Sequence, residues 1–542
     1  MINLHLPRRS LLAATGLAAL PRFAIAQSDT RPVITVAVQK ISNSNTLDFL
    51  REQSNVGTRL STLFTERLID LNYQGQLEPK PGLATAWRRI DDKTVELDLR
   101  RGVKMHNGDE FTAEDVAASF SAARMFGDTR PTVQGKTLPM SGNMITTART
   151  KQLPAEVPPV ARRFWPALDR VDIVDKYTVR FINATPDVTL EGRLSTTSSG
   201  IISGRAFEEA ASWLDYARKP VGTGPYKVRE YRPDNMLILD AHDEYWGGRP
   251  PIRTLRFVEI PEVSGRVNGL LAGEYQFACD IPPDQITEIE KHPAFEVLGG
   301  VIPNMRITTF DKNHAQLRDP RVRQAMTHAI DRQTIVDTLW AGKTIVPAGL
   351  QWPFYDSMYV QGWTVPEFNP AKARELLRAS GYKGDPIPYR LLNNYYTNQV
   401  ANAQVLVEMW KEVGLNVQIG IKENWSQIFE RGETRGIHDW SNSASFNDPV
   451  SSIVSQHGPN GEQQQYGEWT NAEMNTLSVE MESSTDRPRR HAIFARMLQI
   501  CEREDPAFTV LHQNATFTAK PKALKWKAAP TFAMDFRATN WA

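Results

Sequence analysis

Two cysteines in 542 residues, Cys279 and Cys501, are too few for a disulfide framework. Spacing does not decide whether they pair or stay as two buried thiols. An excess of one charge is also missing, since 63 basic residues face 62 acidic ones. That balance removes the electrostatic reason to expect nucleic acid or an anionic membrane as a partner. Beyond the first 26 residues no stretch is long and apolar enough to span a bilayer. The common catalytic signatures are absent too: no G-x-S-x-G elbow, no H-E-x-x-H and no G-x-x-x-x-G-K phosphate loop. None of the ten histidines has a partner four positions away, so none places two imidazoles on one helix face. His106, His242 and His328 read as surface or locally bonded side chains, and neither a metal nor another cofactor is expected. Carboxylates are plentiful, and a distant pair could act as a glycosidase acid and base. A hydrolase of oligomeric substrates therefore stays open as a second function class.

What is present begins with residues 1–26, which read as an export signal. They hold Arg8 and Arg9, an apolar run over 11–20 and the small-residue cleavage site Ala24-Ile25-Ala26. The paired arginines resemble a twin-arginine signal, with the general secretory route as the alternative. Removing Arg8, Arg9 and Arg22 with the leader leaves 60 basic and 62 acidic residues. The remaining 516 residues exceed what one hydrophobic core organises, so two or three lobes are expected. Thirteen tryptophans and fourteen tyrosines suit a cleft that encloses an organic ligand.

Along the chain, residues 33–38 read as a buried strand followed by the polar run Ser42, Asn43, Ser44, Asn45, and loops after such strands commonly face a cleft. Leu60, Leu63, Phe64 and Leu68 have helical spacing. In residues 95–120, Val95, Leu97 and Leu99 alternate with polar side chains as a half-buried strand, Asn107 and Gly108 turn, and Thr112 with Asp115 forms a capping box. Residues 127–159 lack periodicity and read as a long surface excursion. Further on, Asp319-Pro320 and Asn369-Pro370 start helices, Gly381 ends the second, a third is expected over 399–413, and residues 415–419 alternate as a strand. Alternating strands and helices favour an α/β sheet with covered faces. The Gly222-Thr223-Gly224-Pro225 loop has no lysine behind it and reads as a structural turn near the interlobe region.

The 95–120 segment resembles the signature of the family 5 solute-binding proteins of ABC importers, the group of dipeptide- and oligopeptide-binding proteins. Six further landmarks agree in order: PGLATAW at 81–87, PVGTGPY at 220–226, YWGG at 245–248, LAGE at 271–274, DPRVRQAM at 319–326 with AIDR at 329–332, and NPAKARELL at 369–377. The resemblance implies an α/β protein of the type II periplasmic-binding-protein kind, with two ligand-gripping lobes joined by two hinge strands and an extra subdomain. It implies lobe I from residues 27–76, 201–303 and 513–542, an added subdomain II over 77–200, and lobe III over 304–512. The chain would cross near 301–310 and return near 508–518. It further implies a periplasmic monomer that hands a small-molecule or peptide-like ligand to ABC permease subunits of the inner membrane.

Candidate ligand contacts are Asn43 and Asn45 in the first polar loop, Asn394, Tyr395 and Tyr396, Trp425, and Trp440, Ser443, Ser445 and Asn447. Aromatic faces and amides suit a large neutral or weakly charged solute. In the peptide-binding relatives an aspartate three residues before an acid-proline pair holds the peptide amino terminus. Counting back from Asp448-Pro449 puts Ser445 there. A serine hydroxyl cannot balance a buried ammonium group, so the expected ligand lacks a free α-amino terminus held in that manner. Ordinary peptide remains the alternative if Asp311 or Asp439 substitutes from another wall.

Overall fold

A ten-stranded mixed sheet runs the length of the molecule. The computed structural model describes residues 29–127, 132–133, 136–137, 151–393 and 395–541. The strands are β1 (Val33–Val38), β2 (Tyr226–Arg232), β3 (Met236–Ala241), β4 (Thr254–Glu259), β5 (Phe277–Ala278), β6 (Phe295–Phe310), β7 (Ile387–Leu392), β8 (Val417–Lys422), β9 (Ile437–Ser443) and β10 (Phe508–Pro521). In space they follow the order β2-β3-β4-β1-β5-β10-β6-β9-β7-β8. Ile34, Val36, Ala37 and Val38 of β1 are buried, as expected of a β-branched strand running parallel to both β4 and β5. At the other end β7 runs parallel to β8 and β9.

Long strands β6 and β10 tie the two ends together. They pair antiparallel from Phe295↔Pro521 to Thr309↔Phe508, with register breaks between Val301 and Met305 and between Arg306 and Ile307. At the first break side chains replace backbone rungs: Gln513 Nε2 donates to the Ile302 carbonyl at 2.8 Å, and the Asn514 amide donates to Asn304. Gly299 just before it has φ +139°, and a Cβ there would stand 1.9 Å from the Thr516 carbonyl oxygen, so no other residue fits.

A separate four-stranded antiparallel sheet (Ala84–Arg89, Thr94–Leu99, Thr178–Asn183, Leu168–Asp175) lies within residues 77–200. Thr112 and Asp115 make the reciprocal capping box of the helix Ala113–Ser119. Phe120 at its end meets Trp165 and Phe181 edge-on at 4.9 and 4.8 Å, each pair adding about 1 kcal/mol beyond burial.

Helices Pro320–His328 and Pro370–Ser380 begin at the expected Asp319 and Asn369 caps with proline first, the second ends at Gly381 with φ +75°, and Gln399–Glu412 fills the expected third range without a side-chain cap. One sequence expectation fails. Leu60, Leu63, Phe64 and Leu68 are buried but not on a helix. The helix is the single turn Asn55–Thr58, because Leu63 and Phe64 use their carbonyls to receive Tyr226 and Gly224. The interval 127–159 is not wholly irregular: its end enters the helix Val157–Phe164, and residues 128–131, 134–135 and 138–150 lie outside the described set. Cys279 and Cys501 are buried free thiols in separate cores.

Candidate functional site

A cavity of about 540 Å³ opens between the loop that follows β1 and the face formed by β9 and the chain after β7. Eight of the ten residues expected at the site line it: Asn43, Asn45, Tyr395, Tyr396, Trp425, Trp440, Ser443 and Ser445. Asn394 lies outside the described residues. Asn447 is a correction, because it is exposed and does not line the cavity. Phe446 turns its buried ring against Gly192 and Asp448 caps the turn Pro449–Ser451, which directs the residue between them outward.

One wall is aromatic. Tyr395 meets Tyr396 at 4.7 Å and Trp425 at 5.0 Å, Trp425 stacks on Phe429, and Phe429 stacks on Tyr466 at 3.7 Å and touches Trp440 at 4.9 Å. A buried polar network holds it from behind. Gln399 accepts from the backbone amides of Tyr395 and Tyr396 at 2.9 and 3.2 Å and donates to Asp439. Asp439 is ion-paired with Arg306 and accepts from the Tyr389 hydroxyl, whose pKa burial and Asp439 push well up. The Arg306 guanidinium lies 3.7 Å from the Tyr396 ring centre. Asp439 is thus committed to the framework. Asp311 is equally committed, paired with Arg435 at 2.6 Å, and neither acid lines the cavity.

The opposite wall is polar, and Glu52 organises it. This buried carboxylate accepts from the Ser42 hydroxyl, from the Ser44 amide at 2.8 Å and hydroxyl at 2.7 Å, and from the Ser54 amide and hydroxyl. It pins the Asn43–Asn45 loop and the cap of the helix Asn55–Thr58 together. Sequence reasoning missed Glu52, as it missed Arg51, Glu156, Arg163 and Glu462, which also line the cavity. Arg51 pairs with Glu156 at 2.9 Å. Arg163 pairs with Glu462 and donates to Gln53 at 2.7 Å.

Several bonds cross between the walls. Asn55 donates from Nδ2 to Ser441 Oγ at 3.1 Å, and Gln39 donates to the Tyr395 carbonyl at 3.1 Å. Outside the cavity, Arg193 pairs with Glu482 at 2.6 Å, and the Val188 amide donates to the Glu482 carbonyl at 3.0 Å. Burial pushes the Glu482 carboxyl up despite Arg193. The Gly222–Gly224 turn is not at the cavity. Added Cβ atoms on Gly222 and Gly224 would stand 2.2 and 2.5 Å from the Phe64 and Leu63 carbonyl oxygens, so the glycines serve close packing. His106, His242 and His328 each bond a backbone carbonyl, and among the described residues no cluster of His, Cys, Asp and Glu could hold a metal.

Comparison with known proteins places this geometry in context. The family model "Bacterial extracellular solute-binding proteins, family 5 Middle" matches residues 78–464. The dipeptide-binding protein of Escherichia coli (strain K12) is 25% identical over 477 residues, 83% of each chain. Heme-binding protein A of Haemophilus influenzae is 24% identical over 493 residues, 86% of this chain and 84% of that protein. The crystal structure of a dipeptide-binding protein from Pseudoalteromonas sp. SM9913 in complex with Met-Leu superimposes with a TM-score of 0.79 at 20% identity, covering 93% of this chain and 99% of that one. The shared fold is the type II periplasmic-binding-protein fold: two α/β lobes, two hinge strands and an extra subdomain.

Proposed function

Since the chain belongs to the bacterial extracellular solute-binding proteins of family 5, we propose that this substrate-binding component of an ABC importer captures a sizeable organic solute in the 540 Å³ cavity and delivers it to inner-membrane permease subunits. The observation that carries the reading is that the cavity has walls from both sides of the long-strand pair. Asn43 and Asn45 stand on one side, and Tyr395, Trp440 and Ser443 on the other. A solute touching both binds the closed form better than the open one. Each tenfold preference shifts the population by about 1.4 kcal/mol.

In this reading lobe I comprises 27–76, 201–303 and 513–542, subdomain II 77–200 and lobe III 304–512. Residues 1–26 direct a monomer to the periplasm by the twin-arginine route. Arg163 and Glu462, which belong to subdomain II and lobe III in this division, pair across the cavity. The solute leaves unchanged, as family members are binding proteins rather than enzymes. Small-angle scattering with and without saturating solute tests the mechanism, the expected result being a more compact particle on saturation. Trp440→Ala is expected to weaken binding at least tenfold, equivalent to about 1.4 kcal/mol or more, while the thermal midpoint stays close to that of the parent. An unchanged affinity, or chemical turnover of the solute, rejects the proposal.

A further inference from the structure

From the way the cavity spends its charges we infer that its ligand is an uncharged polar solute of the saccharide or glycoside type, rather than a free peptide or an organic acid. The inference rests on the cavity being the solute site. Among the described residues, five carboxylate and guanidinium side chains line it, and each has at least one hydrogen-bond partner. Glu52 takes its hydrogen bonds from Ser42, Ser44 and Ser54. Glu156 is held by Arg51, which also donates to the Ser44 carbonyl at 2.8 Å. Glu462 is held by Arg163, whose second amino group is on Gln53.

A buried ammonium needs a carboxylate with free lone pairs, and a buried carboxylate needs a cation or a full set of donors such as the five on Glu52. A free peptide would have to draw its counter-charges from the Arg51–Glu156 or Arg163–Glu462 pair, and splitting the second leaves a guanidinium whose side chain is only 5% exposed to find new partners. The Asp311 and Asp439 carboxylates cannot step in, being paired behind the wall with Arg435 and Arg306.

Besides Arg163 Nε, what the lining side chains leave buried without a partner is amide. The Asn442 Oδ1 and Gln456 Nε2 atoms are buried without a hydrogen-bond partner, and both residues line the cavity. They are one acceptor and one donor, each costly to leave unmade and each matched by a hydroxyl or an amide on a solute. Ser443, Ser445 and Ser455 add hydroxyls on the same side, and the Trp425–Phe429–Tyr466 stack offers flat apolar faces. Hydroxyls around a ring with apolar faces satisfy both sets.

The test is isothermal titration of protein stripped of bound solute by unfolding and refolding, against matched probes. The uncharged set is neutral disaccharides, aryl glucosides and N-acetyl dipeptide amides. The charged set is the same dipeptides with free termini and small mono- and dicarboxylic acids. The expected result is binding by at least one disaccharide or glucoside, with every charged probe at least about tenfold weaker. A free dipeptide or acid that binds as tightly as the best uncharged probe overturns the inference and leaves the importer reading intact. Blocked dipeptide amides that outbind every sugar overturn the saccharide assignment. Refolded protein that has native circular dichroism but binds no member of either set overturns the proposed function together with the inference.

Discussion

Besides the Asn55–Ser441 and Gln39–Tyr395 bonds between the walls, the two sides of the cleft are joined at the back and at the front by different means. At the back, β6 and β10 share a backbone ladder, broken only where Gln513 and Asn514 supply side-chain rungs. At the front, Arg163–Glu462 and Arg193–Glu482 join the sides almost entirely through side chains. A backbone ladder is retained as long as the strands exist, whereas a side-chain pair is kept only while both partners are held within reach of each other. In the proposed closing motion the back joint would set the path and the front joint the equilibrium.

The largest test strikes the back joint. Asp439→Ala leaves Arg306 of β6 buried without its counter-charge and is expected to cost about 3 to 5 kcal/mol of unfolding free energy, read from urea denaturation. It should also free the Tyr396 ring, which rests on that guanidinium. A loss below about 1 kcal/mol would mean the ladder does not need this pair.

A pH test comes next. His512 of β10 is buried against Trp340, and burial holds its imidazole down to about 3. The unfolded chain takes up a proton near pH 6.5 while the folded one does not, so stability present above that pH is lost as pH falls toward 3. At pH 5 the share of His512 is about 2 kcal/mol. His512→Gln should flatten the slope of unfolding free energy between pH 7.5 and 5 by roughly that amount, and an unaltered slope would show that other groups set it.

The smallest effect belongs to the front joint. Glu482→Gln removes one partner of Arg193, but Asp187 at 2.9 Å remains, so global stability should fall by only about 1 kcal/mol. Scattering of the ligand-free protein should nevertheless shift toward a more open form. If this variant costs as much as Asp439→Ala, the distinction between the joints collapses.

Local patterns carried much of this architecture. Alternation at Val95, Leu97 and Leu99, the Thr112–Asp115 box and the Asp319-Pro320 and Asn369-Pro370 starts each depend on neighbours within a few residues, and each appears where expected. Tyr395 and Trp425 were legible as aromatics after strands, and Trp440 through the stretch running to Asp448-Pro449 that the family resemblance picks out. Glu52, Arg163 and Glu462 were not, because their meaning comes from partners that only the tertiary fold brings near. The Glu462–Arg163 pair spans 299 positions. Leu60 to Leu68 misled for the opposite reason: helical spacing described burial correctly, while carbonyls claimed by Gly224 and Tyr226 kept the segment from coiling.

Asn304 stands on the interruption of the long-strand ladder and also on the cavity lining, where its Nδ2 donates to Ser443 at 2.7 Å. Its oxygen receives Asn514 of the neighbouring strand. Any guest that bargains for this amide loosens or tightens the pivot itself. One amide thus belongs to the cavity wall and to the strand joint at once, so the joint's side-chain rung and the wall cannot be altered separately.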